Sequence, residues 1–224
     1  MPILYIANKN YSSWSLRPWL LMKELGIPFE EKLVPFGLDV PYTTFSPSGR
    51  VPCLVDGDLT IWDSLAITEY LAESHAGVWP ADKPARAWAR SAAAEMHAGF
   101  QHIRNICTMN CGIRVRLHDQ PPAFTAEWKR MQALWADGLH RFGGPFLAGD
   151  RFTAVDAFFA PVAFRIQTYS PALSEGAMAY AQRLLALSNM RAWYEAALKE
   201  TWRDEAHEAQ AREVGTWLQD LRAV

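Results

Sequence analysis

Residues 49–64, GRVPCLVDGDLTIWDS, carry the clearest structural signal in the chain. Two short apolar runs, residues 51–55 and 59–62, flank the sequence Asp-Gly-Asp at positions 56–58. An Asp-Gly pair supplies the positive φ angles that a tight turn between two strands requires. The stretch therefore predicts a β-hairpin, and the acid-serine pair at its end predicts the cap of a following helix.

The segments around this hairpin extend it into a small α/β unit. Residues 3–8 predict a strand buried on both faces, and a helical pattern over 16–25 ends at a glycine. Residues 29–34 predict a second strand, and residues 65–75 predict a helix after the hairpin. The order β-α-β, then β-β-α, favours a parallel pair of strands first and an antiparallel pair second.

The chain changes character after residue 76, and no later segment predicts a strand. Residues 77–86 include one glycine and two prolines and predict a linker. Residues 87–224 are rich in alanine and predict an all-helical domain after the α/β domain of residues 1–76. Five helices are predicted, over residues 85–117, 123–141, 153–169, 177–187 and 190–199.

The composition limits the class of protein. The chain has 224 residues, a net charge of −2 and 50% hydrophobic residues, which argues against disorder and against nucleic acid or membrane as a partner. Three cysteines argue against a secreted disulfide scaffold, and residues 1–14 lack the pattern of a signal peptide. We therefore expect a cytoplasmic protein, whose ten tryptophans pack or bind with large flat rings.

A serine-rich loop, residues 8–15, lies between the first predicted strand and the first predicted helix. Loops that lead from a strand into a helix N-terminus are favoured ligand sites in α/β folds. In one interpretation a serine of this loop simply caps the helix. In the other, a serine hydroxyl and the positive end of the helix together stabilise an anion.

Two further clusters flank the hairpin. A cis Val51–Pro52 bond would leave the Val51 N–H and C=O free to pair with an extended ligand, whereas a trans bond makes Pro52 an ordinary edge proline. Asp63 and Ser64 form a helix cap in one interpretation. In the other, the Ser64 hydroxyl and nearby N–H groups bind a ligand carboxylate while Asp63 pairs with the ligand's ammonium.

In combination, the order of elements, Val51-Pro52 before the hairpin and Asp63-Ser64 at the last helix resemble the thioredoxin-like domain of cytosolic glutathione S-transferases. The resemblance spans residues 2–200. It implies a thioredoxin-like N-terminal domain, an all-helical C-terminal domain and a homodimer.

The segment FLAGDRFTAVD, residues 146–156, is similar to the capping motif of the same family. In that motif Thr153 caps a central helix and Asp156 returns the hydrogen bond. The Thr-x-x-Asp spacing also has a local logic, because it is a capping box with aspartate in place of glutamate.

Within the family, the sequence SSWSLR from residue 12 is most similar to the zeta class, whose signature is Ser-Ser-Cys-Ser-Trp-Arg. That match makes Ser12 the catalytic serine. Counting four residues back from the arginine, as in delta- and theta-like enzymes, points to Ser13 instead. The sequence departs from the zeta pattern at Trp14, where zeta has cysteine, and at Asp63, where zeta has glutamine.

The resemblance implies that glutathione is the co-substrate and lies extended across the N-terminal domain. Its cysteinyl backbone would pair with Val51 beside Pro52, its γ-glutamyl carboxylate with Ser64 and its ammonium with Asp63. Arg50 holds the glycyl carboxylate in one interpretation and lies in solvent in the other. The thiol would point at the catalytic serine and, as a thiolate, attack a small hydrophobic electrophile.

We expect the electrophile pocket between residues 10–14 and the first long helix of the second domain. Its predicted lining is Tyr11, Trp14, Met109, Cys111 and Arg114. Cys107 and Cys111 are expected on one helix face, and two ligands are too few for a structural zinc site. No metal site is predicted.

Three functions remain open from the sequence. The first is a glutathione transferase, and the second is a glutathione-dependent cis-trans isomerase like the maleylacetoacetate isomerases of the zeta class. The third is a non-catalytic binding module with the same fold. The serines and the two ligand-binding pairs favour an enzyme, and the loop over residues 11–15 lacks the cysteine that a thiol-disulfide reductase needs.

Overall fold

A four-stranded sheet with two helices forms the N-terminal part of the computed structural model, which describes residues 1–37 and 40–222. Its elements are β1 (Ile3–Ile6), α1 (Ser13–Glu24), β2 (Glu30–Leu33), β3 (Cys53–Asp56), β4 (Leu59–Trp62) and α2 (Ser64–Ala72). The strand order is β2-β1-β3-β4. β1 pairs parallel to β2 and antiparallel to β3, and β3 and β4 form the antiparallel hairpin. The predicted α/β unit is confirmed.

Helices dominate the rest of the described chain. They are α3 (Lys83–Ala98), α4 (Gln101–Ile106), α5 (Pro122–Phe142), α6 (Ala154–Tyr169), α7 (Glu175–Ala186), α8 (Ser188–Lys199) and α9 (Glu205–Val214). α6 is the central helix, because all its residues except Gln167 are buried and it packs against α1, α3 and α7. The packing of α6 on α1 brings the two parts of the chain together.

A two-stranded antiparallel sheet corrects the prediction that no strand follows residue 76. β5 (Ile113–Leu117) pairs with β6 (Gly215–Asp220), about a hundred residues later in the chain. The apolar residues of β5 alternate with arginines in the sequence IRVRL, which is the two-residue period of a strand. The sequence did not indicate this strand, because its partner strand is distant in the chain and the residues before it have a helical pattern.

The single helix predicted over residues 85–117 is therefore wrong. Gly99 ends α3, and Phe100 adopts a left-handed φ of 57° before α4 begins. α4 ends at Ile106, so Cys107 and Cys111 do not share a helix face. Positions 38 and 39, between β2 and β3, lie outside the described residues, as do positions 223 and 224 of the second domain.

The start of α6 is fixed by a buried carboxylate. Asp156 Oδ2 accepts a hydrogen bond from the Thr153 N–H at 3.0 Å, and Oδ1 accepts from the Leu147 N–H at 3.0 Å. The Tyr180 hydroxyl donates to the same carboxylate at 2.8 Å. Asp156 therefore ties the start of the central helix to α7 and to the preceding loop. None of the helices within residues 1–37 and 40–222 has the length and apolarity that crossing a bilayer would require.

Candidate active site

A cavity of about 550 Å³ opens beside the N-terminus of α1, within the size range of small-molecule sites. One wall is residues 11–14, which follow β1, and a second is residues 49–51, which precede β3. The helical part supplies the opposite wall from α4, the segment after α4, Arg165 on α6 and His207 on α9. The cavity therefore lies between the sheet and the helices.

Ser12 and Ser13 both line this cavity, but their hydroxyls have different surroundings. Ser12 is the N-cap of α1, and its Oγ accepts from the Ser15 N–H at 3.4 Å while donating to Ser15 Oγ at 2.7 Å. Ser12 is only 5% exposed. The Ser13 side chain is half-buried and its hydroxyl has no partner among the residues that the structure describes. Beside the N-terminus of α1, the Ser12 hydroxyl is therefore hydrogen-bonded within the protein, whereas the Ser13 hydroxyl is available to a ligand.

The segment before β3 presents an unpaired stretch of backbone. The Val51–Pro52 peptide bond is cis. β3 begins only at Cys53, and neither the N–H nor the C=O of Val51 is bonded within the described residues. Val51 and Arg50 both line the cavity, and Arg50 is exposed. An extended ligand therefore has a free donor and a free acceptor on this wall.

Asp63 and Ser64 lie at the start of α2 and do not line the cavity. Asp63 has a left-handed φ of 76°, and its Oδ1 accepts from the Leu65 N–H at 2.8 Å. Its Oδ2 is 3.3 Å from Nε2 of His97, a contact that the sequence did not predict. Ser64 is 1% exposed, and its Oγ is buried without a hydrogen-bond partner. The local capping interpretation thus accounts for Asp63 but leaves the Ser64 hydroxyl unexplained.

Trp14 lies between two arginine side chains. The guanidinium of Arg17 is 4.1 Å from the ring centroid and that of Arg104 is 4.3 Å from it. Arg17 is 2% exposed, and its Nε and Nη1 have no hydrogen-bond partner. Burial holds the pKa of Arg17 well below its usual value, with Arg104 and Arg165 acting in the same direction. These contacts fix the Trp14 ring at the cavity wall.

Arg165 lies in the buried central helix α6 and contributes positive charge to the cavity. It is 5% exposed, its Nε has no partner, and one Nη bonds the Cys107 and Arg104 carbonyl oxygens. Burial lowers the pKa of Arg165 to about 10, so it is charged at neutral pH. Arg50, Arg104 and Arg165 line the cavity, and no carboxylate lines it within the described chain. Their charge complements an anionic ligand.

Two predicted pocket residues, Cys111 and Arg114, lie outside the cavity lining. Cys111 is fully buried against the loop after β1, where its N–H donates to the Asn10 oxygen at 3.1 Å. Burial also raises the pKa of its thiol, so it stays protonated. Arg114 points along β5 to the Tyr194 hydroxyl at 3.2 Å. Tyr11, Trp14 and Met109 do line the cavity.

The C-terminal tail, residues 200–222, holds the loop that carries the serines. The Glu200 carboxylate accepts from the backbone N–H groups of Lys9 at 2.7 Å and Asn10 at 3.2 Å. Glu208 accepts from the Tyr11 hydroxyl at 2.6 Å. Arg222 pairs with Glu208 through both terminal nitrogens, at 2.5 and 2.9 Å. No role for this tail could be predicted from the sequence, because the loop residues that it contacts are about 200 positions away in the chain.

His207 reaches the cavity from the same tail. Its ring stacks on Tyr11 and Phe36, with centroid distances of 5.1 and 5.5 Å. Nδ1 of His207 is 2.6 Å from Oδ2 of Asp204, which also caps α9. An Asp-x-x-His spacing at a helix start was visible in the sequence, but nothing local indicated that it faces the serines.

Residues 11–74 match the family model described as "Glutathione S-transferase, N-terminal domain". Residues 86–196 match the model of the corresponding C-terminal domain. The chain belongs to the glutathione S-transferase family. Its relatives include zeta-class proteins, as the motif at Ser12 predicted. The family models end before the tail that carries Asp204, His207 and Arg222.

The chain is similar to maleylacetoacetate isomerase of Rattus norvegicus, with 27% identity over 187 residues, 77% of this chain and 82% of that protein. It is 40% identical to dichloromethane dehalogenase of Methylorubrum extorquens over only 65 residues, 26% of this chain and 23% of that protein. A solved glutathione transferase homologue from Burkholderia, with bound glutathione, superimposes with a TM-score of 0.66 at 22% identity. That match covers 88% of this chain and 97% of the other. These matches confirm the thioredoxin-like and helical fold.

A metal ion has no evident ligand set in the part of the chain that the structure describes. Residues 1–37 and 40–222 contain no group of three or more His, Cys, Asp or Glu side chains placed to hold one.

Proposed function

We propose that this protein is a glutathione transferase that binds glutathione in the cavity beside α1 and activates its thiol there. One observation carries the proposal. The serine pair at a helix N-terminus and the unpaired backbone of Val51 line the same cavity, opposite a wall that carries the buried Arg165 and the half-buried Arg104. A thiolate tripeptide needs this combination of a strand-like edge, a hydroxyl donor and positive charge.

The thiol is activated by hydrogen bonding and by the helix end. A free thiol has a pKa of about 8.5, so only a few per cent is ionised at pH 7. Lowering that pKa by about two units requires about 2.7 kcal/mol. A serine hydroxyl that donates to the sulfur, together with the positive end of α1, supplies a contribution of that size.

The choice between the serines follows from their present partners. Ser12 is the residue that matches the zeta motif, and it must exchange its bond to Ser15 for one to the sulfur. Ser13 can donate without breaking a bond. We propose Ser12 as the first donor, as the motif implies, with Ser13 as the alternative.

The rest of glutathione extends along the wall of the N-terminal domain. The Val51 N–H and C=O pair with its cysteinyl residue, and Arg50 binds its glycyl carboxylate. The buried, unpartnered Ser64 hydroxyl supports a role in binding the γ-glutamyl carboxylate. Asp63 then receives the ammonium through Oδ2, the oxygen that faces His97.

The second substrate occupies the space between Trp14, Tyr11 and Met109. The lining of this space is chemically mixed, since it combines aromatic rings and a thioether with the guanidinium groups of Arg104 and Arg165. A small electrophile with an apolar body and a negatively charged or strongly polar group fits such a wall.

A cis-trans isomerase of an unsaturated acid is the second candidate, and Arg104 and Arg165 on the cavity wall favour it. Such a substrate carries carboxylates, and the rat relative is named as a maleylacetoacetate isomerase. In that reaction the thiolate adds to the double bond, the bond rotates, and the thiolate leaves.

Analysis of the reaction products distinguishes the transferase, the isomerase and the non-catalytic binding module. The protein is incubated with glutathione and either 1-chloro-2,4-dinitrobenzene, an α,β-unsaturated ketone or a maleyl acid, and products are resolved by chromatography. Accumulation of a glutathione conjugate supports the transferase, whereas a trans acid without consumption of glutathione supports the isomerase. Binding of glutathione without acceleration of any reaction would make the protein a non-catalytic module.

We also propose that the protein forms a homodimer, as the family resemblance implies. Leu59 and Trp62 are 56% and 46% exposed, and Trp62 lines an apolar groove on β4 and α2 together with Ile61 and Leu65. This groove lies apart from the cavity. Light scattering checks the mass at micromolar concentration, and a monomer would contradict this proposal.

A further inference from the structure

His207 is a histidine that lines the cavity, and the other titratable side chains of the lining are tyrosines and arginines. The titratable groups that line the cavity are Tyr11, Tyr42, Arg50, Arg104, Arg165 and His207. Burial raises the pKa of Tyr42 to about 12, and burial together with Glu208 raises that of Tyr11. The arginines remain cations. Of the residue types in this set, histidine is the one that proteins most often use as a proton donor near neutral pH.

The His207 ring is oriented by two stacked aromatic neighbours and by a contact at one nitrogen. Tyr11 and Phe36 stack against it, and Asp204 Oδ2 lies 2.6 Å from Nδ1. The Asp204 carboxylate requires a hydrogen on Nδ1, so Nε2 is the nitrogen left for a ligand. Nε2 has no hydrogen-bond partner within residues 1–37 and 40–222. A carboxylate placed in this way also stabilises the imidazolium.

Capping of α9 does not by itself explain this arrangement. Asp204 caps the helix through the His207 backbone N–H, with an N···O distance of 3.1 Å. That bond is available to any residue at position 207, whereas the ring bond and the two ring stacks need a histidine. The charged and titratable groups around the ring are Asp204, Glu208, Tyr11, Tyr42 and Arg222.

We propose that His207 is the proton donor for the second substrate, and that this substrate is an activated alkene, an α,β-unsaturated carbonyl compound. The proposal rests on the proposed glutathione-binding function. It assigns a catalytic role to a tail residue outside the part of the chain that the family models match.

The reaction class follows from where a proton is needed. The thiolate sulfur donates an electron pair to the β-carbon and forms an S–C bond, while the C=C π pair moves to give an enolate. The His207 imidazolium then transfers the Nε2 proton to the α-carbon and becomes neutral. The solvent, which received the proton lost by the thiol, returns one to the imidazole. Arg165 and Arg104 lie on the wall where the enolate oxygen develops its charge.

Other reactions of a thiolate do not need this donor. Displacement of chloride from an aromatic ring releases a stable anion without protonation. In cis-trans isomerisation the enolate expels the thiolate again. A proton donor on the electrophile side is thus useful for addition, because protonation makes the S–C bond permanent.

The test compares two substrates on matched variants of the full chain at saturating glutathione. The substrates are 4-phenylbut-3-en-2-one, which undergoes addition, and 1-chloro-2,4-dinitrobenzene, which undergoes substitution. His207→Gln should lower kcat for addition by about 100-fold, the usual effect of losing a general acid. The loss in kcat for substitution should be at least about tenfold smaller than the loss for addition, because displacement of chloride needs no proton donor. His140→Gln on the exposed face of α5 is the control, with both rates unchanged.

The pH profile and a second variant complete the test. Wild-type kcat for addition should show a descending limb with rising pH, the signature of a general acid, and His207→Gln should lose that limb. Asp204→Asn should also slow addition, and the double variant should be no slower than His207→Gln alone.

Equal losses on both substrates, or no loss in addition, would overturn the proposal. If wild type ionises bound glutathione but does not accelerate addition, the assignment of His207 is overturned and the glutathione site stands. If the bound thiol is not ionised, both fail together.

Discussion

At the scale of single residues, the main question is how one serine serves both the helix and the ligand. Ser12 satisfies the Ser15 N–H and also donates to Ser15 Oγ, which in turn accepts from the Ala7 N–H at 3.3 Å. Ser12 therefore links the end of β1 to the start of α1. Ser13, one position later, has no such structural bond.

Ser12→Ala should lower the free energy of unfolding by about 1 kcal/mol, because it removes an N-cap. Ser13→Ala should change it by less than about 0.5 kcal/mol, because no bond of its hydroxyl is lost. Urea denaturation of both variants measures the two values. Equal destabilisation would contradict the separation of roles, and it would also remove the basis for comparing the two variants in catalysis.

The sequence identified the residues near the serines but not those across the cavity. Ser12, Ser13 and Val51 lie in short motifs whose spacing follows from local backbone geometry. Arg165 and His207 lie near these residues only because α6 and α9 pack against the N-terminal part of the chain. Such a contact cannot be predicted from the spacing of residues along the sequence. An arginine within the buried pattern of α6 was the one visible signal.

At the scale of elements, the buried carboxyl group at the start of α6 makes the stability of the protein depend on pH. Burial raises the pKa of Asp156 to about 6, although the Leu147 and Thr153 N–H groups act in the opposite direction. A raised pKa in the folded state means that the neutral carboxyl is favoured there. Its contribution to stability is present at low pH and is lost as pH rises through about 6.

Wild type should therefore gain stability relative to Asp156→Asn when the pH falls from about 7.5 to about 4.5, by about 2 kcal/mol. The difference between the two proteins isolates this group from all other carboxylates. Asp150→Asn, at an exposed position of the preceding loop, is the matched control and should show no such change. Urea titrations at the two pH values give the result, and a constant difference would contradict it.

Elements were predictable where their partners are close in sequence. The hairpin of β3 and β4, the parallel pair of β1 and β2, and the start of α6 all follow from local patterns. The strand β5 was not predicted, because its partner β6 lies near the end of the chain. A strand whose partner is remote resembles any short amphipathic segment.

At the scale of the whole molecule, the tail closes the structure around the active loop. β6 pairs with β5, α9 covers Tyr11, and Arg222 forms a buried ion pair with Glu208. Glu208 also accepts from the Asn110 amide at 3.1 Å, so one carboxylate joins the tail to the loop after β1 and to the segment after α4. The tail is thus part of the cavity rather than an appendage.

Arg222→Met should destabilise the tail by about 3 kcal/mol, because it leaves the Glu208 carboxylate buried without its partner. Hydrogen exchange of the backbone amides in α9 and β6 should accelerate while that of α6 does not. Arg130→Ala is the control, because it removes an arginine that is 54% exposed and pairs with Glu95 outside the tail, and it should change exchange little, since surface ion pairs contribute little. Similar effects of the two variants would contradict a closing role for the tail.

The central claim is that the cavity beside α1 converts the thiol of glutathione to a thiolate. The direct measurement is the ultraviolet absorbance of the thiolate in the complex, followed as a function of pH, with S-methylglutathione as the blank. The bound thiol is predicted to titrate about two pH units below free glutathione, and Ser12→Ala to return it towards the free value. A bound thiol that titrates as free glutathione does would contradict the account.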